Sequence, residues 1–487
     1  MRTQKNILLN TLFNLLTLIY PLVMAPFTSR VLGAEKLGIY YYVYAIATYF
    51  TLFALLGVNN YGNRSVSMVR DDKEKLNATF NSIFLMQLIT AMFTTAVYFL
   101  FTFGVVKENK TIFFIQSLFV VSEMFNINWL FLGLEKFMLP IIRNTLVKIV
   151  SLVLIILLVK TPDDLPLFTL IMSASFLFSQ LGMWVNLRKY VKFKLPRLSA
   201  CIPHIKPNIM LFLPAMAISL FVHMDKVMLG IFSNMRQVGY YENAEKIARV
   251  IPVSIINAFN TVMLPKMSNM AAKSETAKAK EYITKSMQVM MICACALSFG
   301  IAAVAMEFAP FFLGKEFAHI GILVILLTPS VLASSWNSVI RTQYLIPNMK
   351  EKIYLGSAIA GAVVNLIVNY LLIGTYGALG AIIGTLFAYF AVVIYQTVAV
   401  RKELPVTLFL TQTVPYLLIG LVMFVAVRVV AHFSSATGWV LIFAEITTGV
   451  LVFISLVFGY MYITQDELLQ SLSKIKWFRF LEKRPKQ

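Results

Sequence analysis

Segments of about 20 apolar residues recur along almost the whole length of this chain. An α-helix of that length crosses the hydrocarbon core of a bilayer, whereas helices buried in soluble domains are shorter. The connections between the segments are too short to hold a soluble domain. The sequence therefore predicts an all-α polytopic membrane protein with fourteen transmembrane helices. The predicted spans are residues 7–28, 38–58, 77–103, 111–133, 138–159, 165–187, 208–232, 243–265, 281–308, 318–340, 351–374, 377–399, 411–431 and 439–463.

The positions of lysine and arginine predict how these helices are oriented. Most of the basic residues outside the spans fall in segments on one side, with six at residues 188–206 and six more in the C-terminal tail. Basic loops stay on the cytoplasmic side, so both termini are expected in the cytoplasm. The same bias explains the formal net charge of +20, and we expect no nucleic-acid partner. In the C-terminal tail, basic and apolar residues alternate at the spacing of an amphipathic helix lying on the inner leaflet.

Matched residues indicate an internal repeat. Trp129 and Pro140 have the same spacing as Trp336 and Pro347, and a Leu-Gly pair followed by a glycine occurs at the start of each half. We expect two six-helix bundles of the same orientation, a V-shaped pair with a cleft between them, plus two further helices. The predicted divisions are an N-terminal lobe at 1–187, a cytoplasmic basic linker at 188–207, a C-terminal lobe at 208–402, two additional helices at 403–465 and the basic tail at 466–487.

Polar side chains inside the predicted spans are candidates for a transport site, because they are costly in hydrocarbon. Cations outnumber acids that lack an obvious partner, and asparagines lie at helical spacing beside them. A cleft lined by such groups suits an anion that carries hydroxyls, and the planar guanidinium suits phosphate. The candidate substrate-binding residues are Arg30, Arg143, Lys148, Arg249, Asn10, Asn14, Asn365 and Asn369.

Other intramembrane residues receive different interpretations. Asp225 is the acid without an obvious partner, and with His223 it is the candidate for ion coupling. At the start of the eighth span, acid–base pairs at i, i+4 predict two local ion pairs. These pairs are Glu242 with Lys246 and Glu245 with Arg249. Four more charged residues are interpreted as isolated and interfacial, namely Glu123, Glu307, Arg428 and Glu445.

Sequence motifs that are typical of several functional classes are absent from this sequence. No G-x-x-x-x-G-K-[ST] motif is present, so we expect no ATP to be bound in that way. The four histidines are scattered and the three cysteines lie in apolar surroundings, which indicates packing rather than a disulfide or a metal site. We expect neither a cofactor nor a metal.

Two stretches resemble a known family. They are SRVLGAEKLGIYYYVYAIATY at residues 29–49 and HMDKVMLGIFSNMRQVGYYENAEKI at residues 223–247. With fourteen spans in a 6+6+2 plan, the chain is similar to the Wzx-type oligosaccharide flippases of the multidrug/oligosaccharidyl-lipid/polysaccharide (MOP) exporter superfamily. The resemblance implies alternating access. It also implies transport of an undecaprenyl diphosphate-linked oligosaccharide from the inner to the outer leaflet of a bacterial plasma membrane.

The family's cationic residues of the first and eighth helices correspond here to Arg30 and Arg249. This sequence differs in its second helix, which carries no lysine or arginine before Arg64. The cargo could be a precursor of capsule, teichoic acid, O-antigen or another surface polymer. Two alternatives stay open: a cation-coupled exporter of small molecules or drugs from the same superfamily, and a membrane-embedded glycan polymerase or ligase.

Overall fold

The computed structural model describes residues 2–466 together with 468 and 469; for residues 2–19, 214, 215, 217, 218, 220 and 221 it describes the backbone alone. The predicted all-α class is confirmed, since the described chain contains helices and no strands. The predicted amphipathic tail lies almost entirely outside the described residues. The helices are α1 (Arg2–Leu55), α2 (Val58–Val69), α3 (Lys73–Gly104), α4 (Lys110–Ser122), α5 (Asn128–Gly133), α6 (Met138–Leu158), α7 (Leu165–Trp184), α8 (Ile202–Phe232), α9 (Met235–Ala272), α10 (Thr276–Leu313), α11 (Ile320–Leu327), α12 (Pro329–Val339), α13 (Glu351–Tyr376), α14 (Ala378–Val400), α15 (Val406–Phe433) and α16 (Trp439–Ile463).

Each of the fourteen predicted spans corresponds to a helix, to part of one or to a pair of short ones. Helix α1 covers the first two spans and is divided by a kink at Gly33, where φ is 74°. A glycine adopts this left-handed conformation without a steric penalty. The fourth span is broken into α4 and α5, and the tenth into α11 and α12, which a π-helical turn at Ile340–Leu345 extends. Twelve stretches of the described residues are long and apolar enough to cross a membrane.

The outer faces of several helices are apolar and exposed. Leu157 of α6, Leu418 of α15 and Leu451 of α16 are each more than half exposed. A soluble protein rarely exposes large contiguous apolar surfaces. Backbone polar groups within these helices are satisfied inside each helix, as a bilayer requires. The chain is therefore a multi-pass membrane protein whose exposed apolar faces contact lipid.

The chain divides into two compact units. Unit 1 consists of Met1–Asn243 and Asn365–Gly384, and unit 2 of Ala244–Val364 and Thr385–Gln487. Trp129 is fully buried in the core of unit 1, and Trp336 is buried in a core of unit 2. The boundary between the units passes through α9, α13 and α14. The predicted lobe bounds remain a prediction.

Two glycines bring α1 and α9 into backbone contact within unit 1. A β-carbon on Gly38 would come 1.6 Å from the carbonyl oxygen of Met235, and one on Gly239 would come 2.0 Å from that of Ala34. Only a residue without a side chain allows so close an approach. Gly38 and Gly239 are the glycines that follow the Leu-Gly pairs of the repeat, so the two matched motifs pack against each other.

The basic linker follows α3 as an extended segment. Asn77 Oδ1 accepts from the Lys192 N–H at 2.8 Å, and Asn81 bonds the carbonyl of Lys192 and the N–H of Lys194 at 3.1 Å each. At the start of α3, Asp72 caps the helix, and the Lys75 N–H lowers the pKa of its carboxyl from the usual value. Side-chain hydrogen bonds, together with the burial of Val191 in the core of unit 1, thus order this connection.

Candidate functional site

Asp225 lies at the centre of a buried polar cluster in unit 1, and its side chain is 3% exposed. The Tyr241 hydroxyl donates to Asp225 Oδ2 at 2.6 Å. Asn365 and Asn369 donate through Nδ2 to Asp225 Oδ1 at 2.9 and 2.5 Å. Three neutral donors therefore stabilise the negative charge of a carboxylate that is removed from water. We call Asp225, Tyr241, Asn365 and Asn369 the Asp225 cluster.

The cluster also offers oxygen atoms to a bound ion. Asn365 Oδ1 accepts from Asn369 Nδ2 at 3.1 Å, and Asn369 Oδ1 is buried without a hydrogen-bond donor among the described residues. Gly384 leaves room for this amide, because a β-carbon there would come 2.0 Å from Asn369 Oδ1. Carboxylate and amide oxygens together form the kind of donor set that hard cations prefer.

Next to the cluster, Lys226 Nζ lies 2.6 Å from Glu242 Oε2. The sequence prediction that Glu242 pairs with Lys246 missed this contact. Helix α8 ends at Phe232 and α9 begins at Met235, so residues equally far from this turn face each other across an antiparallel hairpin. The same register brings Tyr241 to Asp225. Pairing residues at nearly equal distances from the turn would have predicted both contacts, Lys226 with Glu242 and Asp225 with Tyr241, from the sequence.

His223, the other candidate for coupling, lies on the same helix as Asp225. Its ring packs edge-to-face against Tyr49 of α1, with ring centroids 6.3 Å apart and an interplanar angle of 88°. An edge-to-face aromatic contact is a packing interaction. The assignment of His223 to ion coupling stays a prediction.

Two membrane-embedded cations on α6 lack an acidic partner among the described residues. Both Nε and Nη2 of Arg143 donate to Asn144 Oδ1, at 3.2 and 2.6 Å, and Ser179 Oγ donates to the same oxygen. Arg143 Nη1 is buried and has no acceptor within the described part of the chain. Lys148 Nζ lies 5.7 Å from the centroid of the Tyr20 ring. Since neither charge is neutralised by a described side chain, this part of unit 1 attracts anions.

Arg249, in unit 2, forms the predicted ion pair with Glu245, with Nη1 and Oε1 2.9 Å apart. Its Nη2 also donates to the Tyr389 hydroxyl, and the guanidinium carbon lies 4.8 Å from the centroid of that ring. The ion pair carries no net charge, so an anion at Arg249 competes with Glu245. Tyr389 was not expected from the sequence, because 140 residues separate it from Arg249.

The remaining candidates are on α1. Arg30 is exposed and lies three residues before the kink of α1 at Gly33. The side chains of Asn10 and Asn14 lie outside the described residues, so their predicted position on a polar face stays a prediction. The substrate-binding role of all eight candidate residues likewise stays a prediction.

Charged residues that the sequence suggested to be isolated have partners or are buried. Arg428 Nη1 lies 2.7 Å from Glu307 Oε2. Glu445 is fully buried, and Glu123 is 7% exposed and accepts from Asn126 Nδ2 at 2.7 Å. The interpretation of these residues as isolated was wrong for Arg428, Glu307 and Glu123, because neighbouring side chains contact them. Their interfacial position stays a prediction.

Comparisons with known proteins agree with this architecture. The sequence profile of the family described as "Polysaccharide biosynthesis protein" matches residues 3–271. A protein of Shigella dysenteriae assigned as an O-antigen transporter is 26% identical over 415 residues, which cover 82% of this chain and 100% of the relative.

Solved structures share the fold at low sequence identity. The lipid II flippase MurJ in an inward closed conformation superposes with a TM-score of 0.72 and 15% identity, covering 93% of this chain and 98% of that one. A multidrug resistance MATE family transporter of the MOP superfamily, in its inward-facing conformation, gives a TM-score of 0.60 and 14% identity, covering 82% and 96%. At such identities the likeness shows the fold alone.

Proposed function

The chain belongs to the polysaccharide biosynthesis protein family, and from this we propose that it is a flippase for a lipid-linked oligosaccharide. The predicted resemblance to the MOP superfamily is confirmed by this membership and by the shared fold. The cargo would carry a diphosphate head group and move from the inner to the outer leaflet of a bacterial plasma membrane. The relative assigned to O-antigen transport supports this cargo class.

The two unneutralised cations of α6 are the observation that carries the proposal. A buried charge without a counter-ion is unfavourable in a membrane unless it holds a ligand. A diphosphate supplies two or more negative charges and oxygen acceptors for the free Nη1 of Arg143 and for Lys148. The lipid tail stays in the apolar phase throughout, so the protein needs to bind and move only the head group and its sugars.

Transport of this kind makes and breaks no covalent bond, so we propose a transporter rather than an enzyme. Alternation between inward and outward access would supply the movement. The bias of basic residues supports cytoplasmic termini. ATP has no binding motif in the sequence, and an ion gradient is the proposed driving force.

The Asp225 cluster is the proposed site of that coupling. Binding of a proton or a metal cation at Asp225 would remove the negative charge to which Tyr241, Asn365 and Asn369 donate. Because these donors come from α9 and α13, loss of the charge weakens three contacts between helices at once. Ion binding is thereby linked to helix packing.

A cation-coupled exporter of small molecules is the second candidate, and the buried carboxylate of Asp225 favours it. The two functions differ in their response to substitution. For the exporter, Asp225→Asn abolishes transport and Arg143→Gln with Lys148→Gln leaves it intact. For the flippase, the α6 substitutions stop transport of the lipid-linked saccharide.

Depletion of the protein in its own cell tests the proposed function. We expect a lipid-linked saccharide to accumulate on the inner leaflet, where mass spectrometry identifies it. Wild-type protein and a control variant, Lys160→Gln, should reverse the accumulation; Lys160 is an exposed lysine just beyond α6. The double variant Arg143→Gln, Lys148→Gln should fail at equal protein level.

Two results would count against the proposal in different ways. If no lipid-linked saccharide accumulates on depletion, the flippase function is wrong. If one accumulates and the double variant clears it as well as wild type, the function stands and the α6 site is wrong.

A further inference from the structure

Three ionisable side chains meet in unit 2 where α10, α15 and α16 pack together. Arg428 Nη1 of α15 donates to Glu307 Oε2 of α10 at 2.7 Å and to the carbonyl oxygen of Ala303 at 3.1 Å. Glu445 of α16 interacts electrostatically with both Glu307 and Arg428. The group therefore contains two carboxyls and one guanidinium. We call these three residues the Glu445 triad.

The carboxyl of Glu445 receives no hydrogen bond from the described residues, and Arg428, the cation beside it, is already paired with Glu307. The Glu445 side chain is fully buried. It lies beyond the first turn of α16, so the free N–H groups at the helix start do not reach it. It borders a cavity of about 400 Å³ whose other lining side chains are apolar, among them Phe308, Ile446 and Phe453. In such surroundings a carboxyl takes up a proton instead of remaining charged.

The other charged groups on the helices that surround Glu445 do not shift its carboxyl from the protonated to the charged form. On α15, His432 lies one turn beyond Arg428. On α9, the residues that line the cavity are Ile247 and Ile251, while Glu245 and Arg249 pair with each other and Lys246 lies beside them. On α10, Glu307 is the acid of the triad. The electrostatic interactions of Glu445 come from Glu307 and Arg428.

We propose that Glu445 and Glu307 form a proton-binding site, in which the two carboxyls share one proton beside Arg428. With one proton bound, the guanidinium, one carboxylate and one carboxylic acid sum to zero charge, and the acid O–H donates to the carboxylate. Without the proton, two carboxylates would face one guanidinium in apolar surroundings. With a second proton, Arg428 would lose its counter-ion. Two carboxyls that interact in this way titrate as a pair.

The ligand is a proton rather than a metal ion, because Arg428 already occupies the position of a cation. The described residues also contain no group of three or more histidine, cysteine, aspartate or glutamate side chains that could hold a metal ion. The triad lies near the end of α15 and the start of α16, on the side that the basic-residue bias predicts to face outward. It is separate from the Asp225 cluster, which belongs to unit 1.

Infrared spectroscopy of the purified full-length protein in lipid nanodiscs detects the shared proton directly. Spectra are recorded from neutral to alkaline pH, and the carbonyl stretch of a protonated carboxylic acid is followed as it is lost. Wild type should show this band, and Glu445→Gln should lack it. Glu307→Gln should lack it too, because the remaining Glu445 carboxyl then ionises and pairs with Arg428.

Glu281→Gln is the matched control. Glu281 lies on α10 like Glu307, but it is exposed and its Oε1 lies 2.7 Å from Lys285 Nζ, so its loss should leave the band unchanged. Glutamine keeps the shape of the side chain, and an unchanged unfolding temperature confirms that each variant is folded. A band of wild-type strength in Glu445→Gln would overturn the proton site. A band that persists in Glu307→Gln alone would overturn the sharing of the proton.

Discussion

Asp225 shows how neutral side chains can stabilise a carboxylate inside a membrane protein. The Tyr241 hydroxyl and the side-chain amides of Asn365 and Asn369 donate hydrogen bonds to it. Hydrogen bonds to a charged group are stronger than those between neutral groups. A change in the charge of Asp225 therefore alters three hydrogen bonds between helices at once.

Tyr241→Phe tests the contribution of one donor. Removing the hydroxyl leaves Asp225 Oδ2 without the hydrogen bond seen at 2.6 Å. We expect the free energy of unfolding to fall by about 1.5–3 kcal/mol, the usual range for a hydrogen bond to a charged group. The measurement is reversible unfolding in mixed detergent micelles.

Tyr370→Phe is the control for this substitution, because Tyr370 is 68% exposed and also belongs to unit 1. Its hydroxyl should contribute little, and the variant should unfold like wild type. Equal stability of Tyr241→Phe and Tyr370→Phe would show that the hydroxyl of Tyr241 does not stabilise the cluster.

Residue-level predictions from sequence were limited by distance along the chain. Asp225, Asn365 and Asn369 were each recognised as polar residues inside a span, but 140 residues separate Asp225 from Asn365, and no local pattern joins them. The pair Glu245–Arg249 was predicted correctly because i, i+4 neighbours lie on one helical face. The contact between Lys226 and Glu242 was missed because it joins two helices.

At the scale of elements, close helix approach depends on glycine. Helices α13 and α14 meet where Gly384 faces Asn369. The sequence pattern Gly380-x-x-x-Gly384 allows such an approach, as in other membrane helices. The packing site and the Asp225 cluster are thus joined through one amide, since Asn369 contacts both Gly384 and Asp225.

Gly384→Ala tests this connection. The new β-carbon would lie 2.0 Å from Asn369 Oδ1, so the amide must move away from Asp225. We expect the free energy of unfolding to fall by about 1–3 kcal/mol, as for other overpacked sites. Thermal unfolding in nanodiscs measures the change.

Gly374→Ala provides the matched control on α13. A β-carbon on Gly374 meets nothing within 4 Å, and alanine favours a helix by up to about 1 kcal/mol over glycine. This variant should be as stable as wild type or slightly more so. If Gly384→Ala behaves in the same way, the packing between Gly384 and Asn369 is looser than described.

The elements themselves were largely predictable, and their irregularities were not. Hydropathy identified all fourteen spans because each must satisfy the same length and apolarity. The break of the fourth span at residues 123–127 depends instead on tertiary contacts: Gln87 Nε2 donates to the carbonyls of Glu123 and Asn126, at 2.8 Å each. These bonds satisfy the carbonyls that the interrupted helix leaves open, and the sequence of the span alone does not reveal them.

At the scale of the whole molecule, three groups of charges are distinct from the ion pairs Lys226–Glu242 and Glu245–Arg249. The α6 cations carry unneutralised positive charge, the Asp225 cluster holds a negative charge, and the Glu445 triad is neutral when it holds one proton. The α6 cations suit an anionic head group, the Asp225 cluster suits a coupling cation, and the Glu445 triad binds one proton. The polar residues inside the predicted spans indicated an anion-binding transporter. The folded structure was needed to show which cations are neutralised by neighbouring side chains.

Reconstituted transport tests the central claim most directly. Purified protein is placed in liposomes with an oligosaccharide linked to undecaprenyl diphosphate, and the fraction of sugar accessible from outside is followed over time. The account predicts that wild type exchanges the lipid between leaflets faster than protein-free liposomes do. Arg143→Gln with Lys148→Gln should be slower by about 100-fold or more, because two charge-assisted contacts of about 1.5–3 kcal/mol each are lost. Exchange by wild type no faster than in protein-free liposomes would contradict the account.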